Sequence, residues 1–225
     1  MKSKKLVIFG DSAFAEIAFE YFTYDSEYEV VAFTVTKEFL KKDNLFGLPV
    51  IAFEEIQTIH STDSVDMHVA LTYNNLNRTR AYFYEKCREK GYTLANYISS
   101  RSFVWRNVEL GDNIFIFEDN TIQPFVKIGS NNVFWSGNHI GHHSTIGNHN
   151  FISSHVVLSG FCNVGNRNFL GVNTTIGNNL YIGDDCLLGS FVHVVKNIEN
   201  GSLIKGTPNI IDSQTTWDKF NINSK

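Results

Sequence analysis

From Ile98 to Val194, every sixth residue is aliphatic or phenylalanine, with no slip of phase. The row runs through Val104, Leu110, Ile116, Ile122, Ile128 and Phe134 and ends at Leu188 and Val194. A period of six suits neither an amphipathic helix, whose apolar residues recur at three and four, nor a two-sided strand, whose period is two. It suits very short parallel strands joined by tight corners, so the second half of the chain is read as a solenoid whose coils stack on one another. Glycine often follows the apolar residue, as at 111, 129, 141, 147, 165, 171, 177, 183 and 189. A small or amide side chain often stands four places after it, as at Asn120, Asn132, Asn138, Ser144, Cys162, Asn168 and Cys186. Glycine and asparagine are assigned to the corners, where a positive φ costs other L-residues energy. Cys162 and Cys186 fall in the small row and are read as buried fillers rather than nucleophiles.

The pattern resembles the hexapeptide-repeat left-handed parallel β-helix. That resemblance implies three hexads to a triangular coil and a left-handed turn of the chain, and it divides the sequence into a small α/β domain over 1–97, a β-helix over 98–199 and a C-terminal cap or tail over 200–225. Within the tail, Ile210 to Ile222, with Trp217 and Phe220, is the candidate cap for the last coil, which needs one. Outward-facing Phe115, Phe117, Phe125, Val133, Trp135, Phe161, Phe169 and Phe191 would leave apolar faces that need covering, and packing three solenoids side by side would cover them.

Composition narrows the function classes. Of 225 residues, 43% are hydrophobic and 19% charged, which argues against disorder. The net charge is −4 with no basic block, so neither nucleic acid nor an anionic membrane surface is expected as the main partner. The longest apolar runs, 6–9 and 30–33, are too short to span a bilayer, and the run behind Met1 is too short for a signal sequence; a cytoplasmic protein is expected. Three sparse cysteines without a CxxC exclude a disulfide scaffold or zinc ribbon.

In the first hundred residues, strands and helices alternate. Residues 5–9, 29–35, 49–53 and 66–71 read as strands, Ala13 to Tyr24 as a helix with Ser12 as N-cap, and Leu76 to Lys90 as a helix ended by Gly91. The alternation predicts a small parallel, Rossmann-like α/β domain. Gly10-Asp11-Ser12-Ala13-Phe14-Ala15 stands where a dinucleotide loop would, but only the first glycine of G-x-G-x-x-G is present and the second strand ends without an acid, which argues against NAD. A phosphate of a nucleotide-linked sugar needs only the loop and the helix end; a purely structural turn is the alternative.

A small α/β domain followed by hexapeptide repeats resembles the sialic-acid-type and bacillosamine-type sugar acyltransferases, and more closely the GDP-perosamine N-acetyltransferase group of nucleotide-sugar N-acetyltransferases. The most specific stretch runs from Trp135 through Ser136-Gly137-Asn138-His139-Ile140-Gly141-His142-His143-Ser144 to Ser153-Ser154-His155, and Gly206-Thr207-Pro208-Asn209 resembles the family's exit from the helix. The resemblance implies acetyl-CoA as co-substrate, a nucleotide-linked amino sugar as acceptor, and a homotrimer with sites between subunits. It places the catalytic histidine at His142. The next residue, commonly an acid that orients the imidazole, is here His143, which leaves Glu118 or Asp119 as the candidate carboxylate. Coenzyme contacts fall on Phe151, Val172 and Ser190, and nucleotide-sugar contacts on Ser12, Ala13 and Phe14 and on Thr72, Tyr73, Asn74 and Asn75. Gly160, three hexads beyond His142, is read as leaving open space beside the imidazole for an incoming amine. His139 and His155 are assigned to substrate positioning.

A zinc site is the sharp alternative for so many histidines, because some hexapeptide-repeat proteins bind zinc with three of them. His143, His149 and His155, however, occupy the same slot in successive hexads and point to three different corners, so no metal is expected. The chemistry implied is direct acyl transfer, the imidazole taking the amine proton as general base. A sugar O-acyltransferase and a non-catalytic trimeric module are the competing readings.

Overall fold

The hexad register becomes three parallel sheets in a computed structural model that describes residues 2–206, 214–220 and 222. Successive two-residue strands fall on the first, second and third sheet in turn. The first face carries Tyr97–Ile98, Phe115–Ile116, Val133–Phe134, Phe151–Ile152, Phe169–Leu170, Leu187–Leu188 and Leu203–Ile204. The second carries Phe103–Val104, Thr121–Ile122, His139–Ile140, Val157–Leu158, Thr175–Ile176 and His193–Val194, and the third Glu109–Leu110, Lys127–Ile128, Thr145–Ile146, Asn163–Val164 and Tyr181–Ile182. Each strand pairs in parallel with the strand one coil on, as Ile122 does with Ile140. Inside the prism, Ile116, Ile122, Ile128, Phe134, Ile140 and their successors form one continuous apolar column.

The corners differ from the expectation in an instructive way. The residue with positive φ is not the glycine after the apolar residue but the residue three places after it: Asn113, Asp119, Phe125, Asn131, Gly137, His143, His149, His155, Phe161 and so on to Phe191. The glycines that follow the apolar residue answer a steric demand instead. A Cβ on Gly129 would lie 2.4 Å from Asn148 Oδ1, and one on Gly165 only 2.2 Å from Asp184 Oδ1. Those side-chain oxygens fold over the bare glycines and accept backbone N–H groups of the coil before: Ser130 N donates to Asn148 Oδ1 at 2.7 Å, and Asn166 N to Asp184 Oδ1 at 2.7 Å. The small row forms a second ladder inside the corners, where Asn150 N donates to Asn132 Oδ1, Asn168 N to Asn150 Oδ1 and Cys186 N to Asn168 Oδ1. Each such bond contributes about 1 kcal/mol net and satisfies a backbone amide at a corner. Cys162 and Cys186 are fully buried, and burial raises both thiols.

The first domain is a five-stranded sheet. Its elements are β1 (Lys4–Phe9), α1 (Ala13–Tyr24), β2 (Tyr28–Val35), β3 (Asn44–Leu45), β4 (Leu48–Ala52), α2 (Ile56–Ile59), β5 (Asp66–Val69) and α3 (Arg78–Glu89), and the strand order is β3-β4-β2-β1-β5. All pairs are parallel except the β3–β4 hairpin. Ser12 stands at the N-cap of α1 but makes no side-chain capping bond. The second long helix starts at Arg78 rather than Leu76, because Asn75, Leu76 and Asn77 all lie in the left-handed region.

One face of β1, through Leu6 and Ile8, packs on α1, and α1 in turn packs through Phe14, Ala15, Ala18 and Phe22 on Tyr97, Phe115, Phe117, Val133 and Phe151 of the first solenoid face. The first face is therefore covered by the chain's own α/β domain, not left for a neighbouring solenoid as the outward aromatics suggested. Val7 and Phe9, on the other side of the sheet, pack with Ile56, Tyr84 and Cys87. Phe125, Phe161 and Phe191, at corners away from α1, remain exposed. At the far end, Trp217 and Phe220 are exposed on the short helix Thr216–Phe220, so neither seals the last coil; residues 207–213 and 221 of the expected exit and cap lie outside the described residues. No described helix is long and apolar enough to cross a membrane.

Candidate active site

His142 and His143 occupy the corner between the second and third faces. His143 has φ 58°, and its ring lies between Phe125 and Phe161, with centroids 4.6 and 4.9 Å away and interplanar angles of 30° and 19°. Those phenylalanines sit one coil before and one coil after it in the same left-handed slot. His142 stands edge-on to both His143 and Phe161, at 88° to each. Its Nδ1 is 3.1 Å from His143 Nδ1, and its backbone N–H donates to Gln123 Oε1 at 2.9 Å. Two imidazoles that meet Nδ1 to Nδ1 share one proton, so one ring donates and the other accepts.

Gly160 has a different role from the one expected. A Cβ there would lie 2.9 Å from His142 Cε1, 3.1 Å from Nε2 and 3.3 Å from Nδ1. The imidazole itself fills the space above Gly160, so the glycine seats the ring rather than an incoming amine. His155 behaves in the same way at the next corner, where its Nδ1 would be 2.5 Å from a Cβ on Gly137. His139 is half-buried and faces outward on the second face.

Neither carboxylate proposed to orient His142 does so within the chain. Glu118 and Asp119 lie at the corner between the first and second faces. Glu118 accepts hydrogen bonds from Tyr21 Oη at 2.8 Å and Ser136 Oγ at 2.6 Å, and Asp119 pairs with Arg101 at 3.6 Å. His143 is the group that meets His142. His149, at the third corner, takes a 2.8 Å contact from Asn131 Nδ2 at its Nδ1, and burial pulls its imidazole down to about 4. His143, His149 and His155 thus lie at three separate corners, and no group of three or more metal-binding side chains is gathered among the described residues.

The residues assigned to the nucleotide sugar divide into two sets. Ser12 and Asn74, with Phe9, Asp11, Leu71 and Phe83, line a crevice of about 240 Å³ at the C-terminal ends of β1 and β2. Ala13 is exposed at the start of α1. Phe14, by contrast, is 2% exposed and packs on Phe115, Phe117 and Trp135, so its side chain belongs to the interdomain core and cannot touch a ligand. Thr72 offers its carbonyl to Arg80, Tyr73 packs on Phe151 and Phe169, and Asn75 opens the left-handed turn. Of the coenzyme residues, Phe151 is buried on the first face beneath Tyr73, and Val172 and Ser190 are exposed at the corner between the first and second faces. Gly160, Phe151 and the Val172–Ser190 pair therefore stand at three different places on the prism and form no single pocket within one chain.

The sequence reading missed the residues that join the two domains. Asn77 Nδ2 donates to Asn168 O at 3.0 Å, Tyr84 Oη to Asp112 Oδ1 at 2.6 Å, and Arg78 pairs with Asp185 at 2.9 Å. The guanidinium of Arg80 is completely buried between α3 and the solenoid. The available signal was an arginine on the same helical stripe as Tyr84 and Cys87, where a core residue belongs.

Residues 125–160 match the bacterial transferase hexapeptide family (six repeats), and an α/β domain is docked on one face of the stack of parallel sheets that contains them. No curated protein matches its sequence significantly. Among solved structures, the acetyltransferase domain of PglB from Neisseria gonorrhoeae is 20% identical, with 92% of this chain and 98% of that one covered at a TM-score of 0.81. PerB from Caulobacter crescentus, in complex with CoA and GDP-perosamine, is 24% identical, with 93% and 97% covered at 0.80. WeeI from Acinetobacter baumannii is 18% identical, with 92% and 98% covered at 0.60. These are likenesses of fold, and they extend over both domains.

Proposed function

We propose that this chain is an acetyl-CoA-dependent N-acetyltransferase that acylates the amino group of a nucleotide-linked amino sugar, of the 4-amino-4,6-dideoxy kind used in surface polysaccharides and glycans, with His142 as general base. The observation that carries the reading is the His142–His143 pair: an exposed imidazole, seated over Gly160 and hydrogen-bonded through Nδ1 to a second ring that two phenylalanines hold. The fold shared with PerB, which was seen with CoA and GDP-perosamine, and with the PglB acetyltransferase domain supports the choice of donor and acceptor. The crevice at the ends of β1 and β2 is the Rossmann-like site for the nucleotide: α1 begins beside it, and with no side-chain cap from Ser12 its first-turn amides are available to a phosphate.

The steps follow from the pair's geometry. His142 carries its proton on Nδ1 and donates it to His143 Nδ1, which leaves Nε2 as the free lone pair. Nε2 takes the proton of the sugar amine as its nitrogen attacks the thioester carbonyl and the C–N bond forms. The tetrahedral oxyanion is held by backbone N–H groups at a corner. When the C–S bond breaks, the departing sulfur takes the proton back from His142. No covalent enzyme intermediate is needed. General-base assistance supplies about 10²–10⁴-fold, and alignment of the two bound substrates supplies much of the rest.

Assembly completes the site. The corner bearing His142 is opposite the first face, where this chain's own α/β domain sits, so the crevice of one chain and the imidazole of the same chain cannot serve one sugar. A homotrimer of left-handed helices, in the cytoplasm where acetyl-CoA is made, brings the crevice of one protomer to the His142 corner of the next. Exposed Phe125 and Phe161, with Phe103, Trp105 and Val157 on the second face, supply apolar surface for it. The test is to incubate the protein with acetyl-CoA and with UDP-, GDP- and dTDP-linked 4-amino sugars and to follow acetylated product by mass spectrometry. His142→Ala is expected to lower turnover by about 10²–10⁴-fold with acetyl-CoA affinity retained. Absence of product with every acceptor refutes the transferase, and undiminished turnover in the variant refutes the base.

A further inference from the structure

Arg80 is fully buried, and among the described residues no carboxylate pairs with it. Its Nη1 donates to the carbonyls of Leu71 (3.4 Å) and Thr72 (3.3 Å), its Nη2 donates to those of His149 and Asn150 (3.0 Å each), and its Nε has no partner. Its guanidinium carbon lies 5.9 Å from the centre of the Phe151 ring. A buried charge loses its hydration, and an apolar side chain of the same volume would fill the space more cheaply.

A second cost is concentrated beside it. Asn75, Leu76 and Asn77 take φ values of 51°, 48° and 63° in succession. The left-handed region is costly for an L-residue with a side chain, and Leu76 has none of the local hydrogen bonding that compensates asparagine. Asn77 is itself buried, anchored to Asn168 O through Nδ2, with its Oδ1 unpartnered. Strain and an orphaned amide oxygen fall on the segment 71–77, whose Leu71 and Asn74 line the crevice, and the buried charge of Arg80 stands against it. Such costs persist only where the surroundings over-determine the conformation.

We infer that Arg80 is a positioning residue that clamps the crevice wall, residues 71–77, to the solenoid coil of His149, Asn150 and Phe151, so that the acceptor's nucleotide is held in fixed register with the acyl-transfer scaffold. The wall is thereby tied to the other domain as well as to its own sheet. The ligand named here rests on the proposed transferase; the clamp does not.

Two readouts on the full-length protein test it. The amides of Asn77 and Arg78 donate to Tyr73 O and Asn75 O and report whether the turn is closed. In Arg80→Met their hydrogen exchange is expected to accelerate about 10–100-fold, with the amides of β1 unchanged. In steady-state assays the KM for the amino-sugar nucleotide is expected to rise about tenfold or more, with the KM for acetyl-CoA changing less than about twofold. Arg80→Lys keeps the charge but cannot span two pairs of carbonyls, and it is expected to fall between. If Arg80→Met also loosens β1, Asn77→Gly decides by the same readouts, since glycine keeps the left-handed turn and removes only the anchor. Unchanged exchange at Asn77 and Arg78 overturns the clamp, as does an equal rise in both KM values. If the unaltered protein transfers no acetyl group, the function falls and the exchange experiment still decides the clamp.

Discussion

Phe115→Ala and Phe125→Ala separate the two kinds of outward aromatic. Both side chains stand on the outside of the solenoid, yet Phe115 is 0% exposed and Phe125 56%. Phe115 has ring neighbours at 4.5 Å (Tyr97), 4.8 Å (Phe117), 5.5 Å (Phe14) and 5.9 Å (Phe22). Burying a phenylalanine contributes about 1.5–3 kcal/mol by transfer, and the cavity left between two rigid elements raises the loss to about 3–5 kcal/mol. Aromatic pair terms of about 0.5–1.5 kcal/mol each are already part of that loss and are not added again. At about 2–4 °C per kcal/mol for a chain of this size, Phe115→Ala should lower Tm by about 10 °C. Phe125→Ala should cost under about 1 kcal/mol in the isolated protomer, although it removes one wall of the His143 stack. Thermal and urea unfolding followed by circular dichroism would read both. A single transition that moves as a whole is expected for Phe115→Ala, because the ring belongs to the core shared by the two domains. Equal effects of the two substitutions, or a split transition in which only the α/β part shifts, would refute the reasoning that the first face is sealed from within.

Two further outcomes can be checked. Gly160→Ala should leave Tm within about 2 °C, since the backbone there is not left-handed and the His142 ring can swing into solvent, but turnover should drop about 10–100-fold because that ring loses its seat; unaltered kcat would count against the seating of the imidazole. His68 is 1% exposed, and burial lowers its imidazole from 6.5 to about 4. The unfolded chain therefore takes up the proton first as pH falls. The stability tied to this neutral ring is full above pH 6.5, declines by about 1.4 kcal/mol per pH unit as pH falls toward 4, and levels off below that. Urea midpoints measured between pH 7.5 and 4 should fall more steeply for the native chain than for His68→Leu, and identical slopes would dismiss the buried neutral histidine.

Much of the candidate site could be read from the order of residues, and the misreadings share a cause. The hexad count puts His142 at a corner, but His143, His149 and His155 stand at corners too, and the choice of His142 came from the family resemblance. Gly160 was found by the same count, but whether its missing Cβ makes room for a ligand or for a neighbouring ring depends on a rotamer, which sequence does not carry. The left-handed slots were assigned to glycine and asparagine, which tolerate them best, and asparagine does hold four of them, Asn113, Asn131, Asn173 and Asn179. Others hold histidine or phenylalanine, stacked one coil upon the next, while the glycines that follow the apolar residue lie where a side-chain oxygen from the adjacent coil must pass. Phe14 matched a binding position in sequence and is a packing residue in space.

By itself, the repeat determined the solenoid and its inner column, because a period of six sustained over so many hexads brings its apolar residues into one buried row; the three hexads to a coil were implied by the family resemblance and are seen in the pairing of Ile122 with Ile140. The alternating strands and helices of the first domain were equally local, set by propensity and spacing. Where α1 would dock, which aromatics it would cover and why an arginine should be sealed among carbonyls were decided only by tertiary structure. Those outcomes depend on contacts between residues far apart in the chain, and no local pattern states which surface a given face will meet.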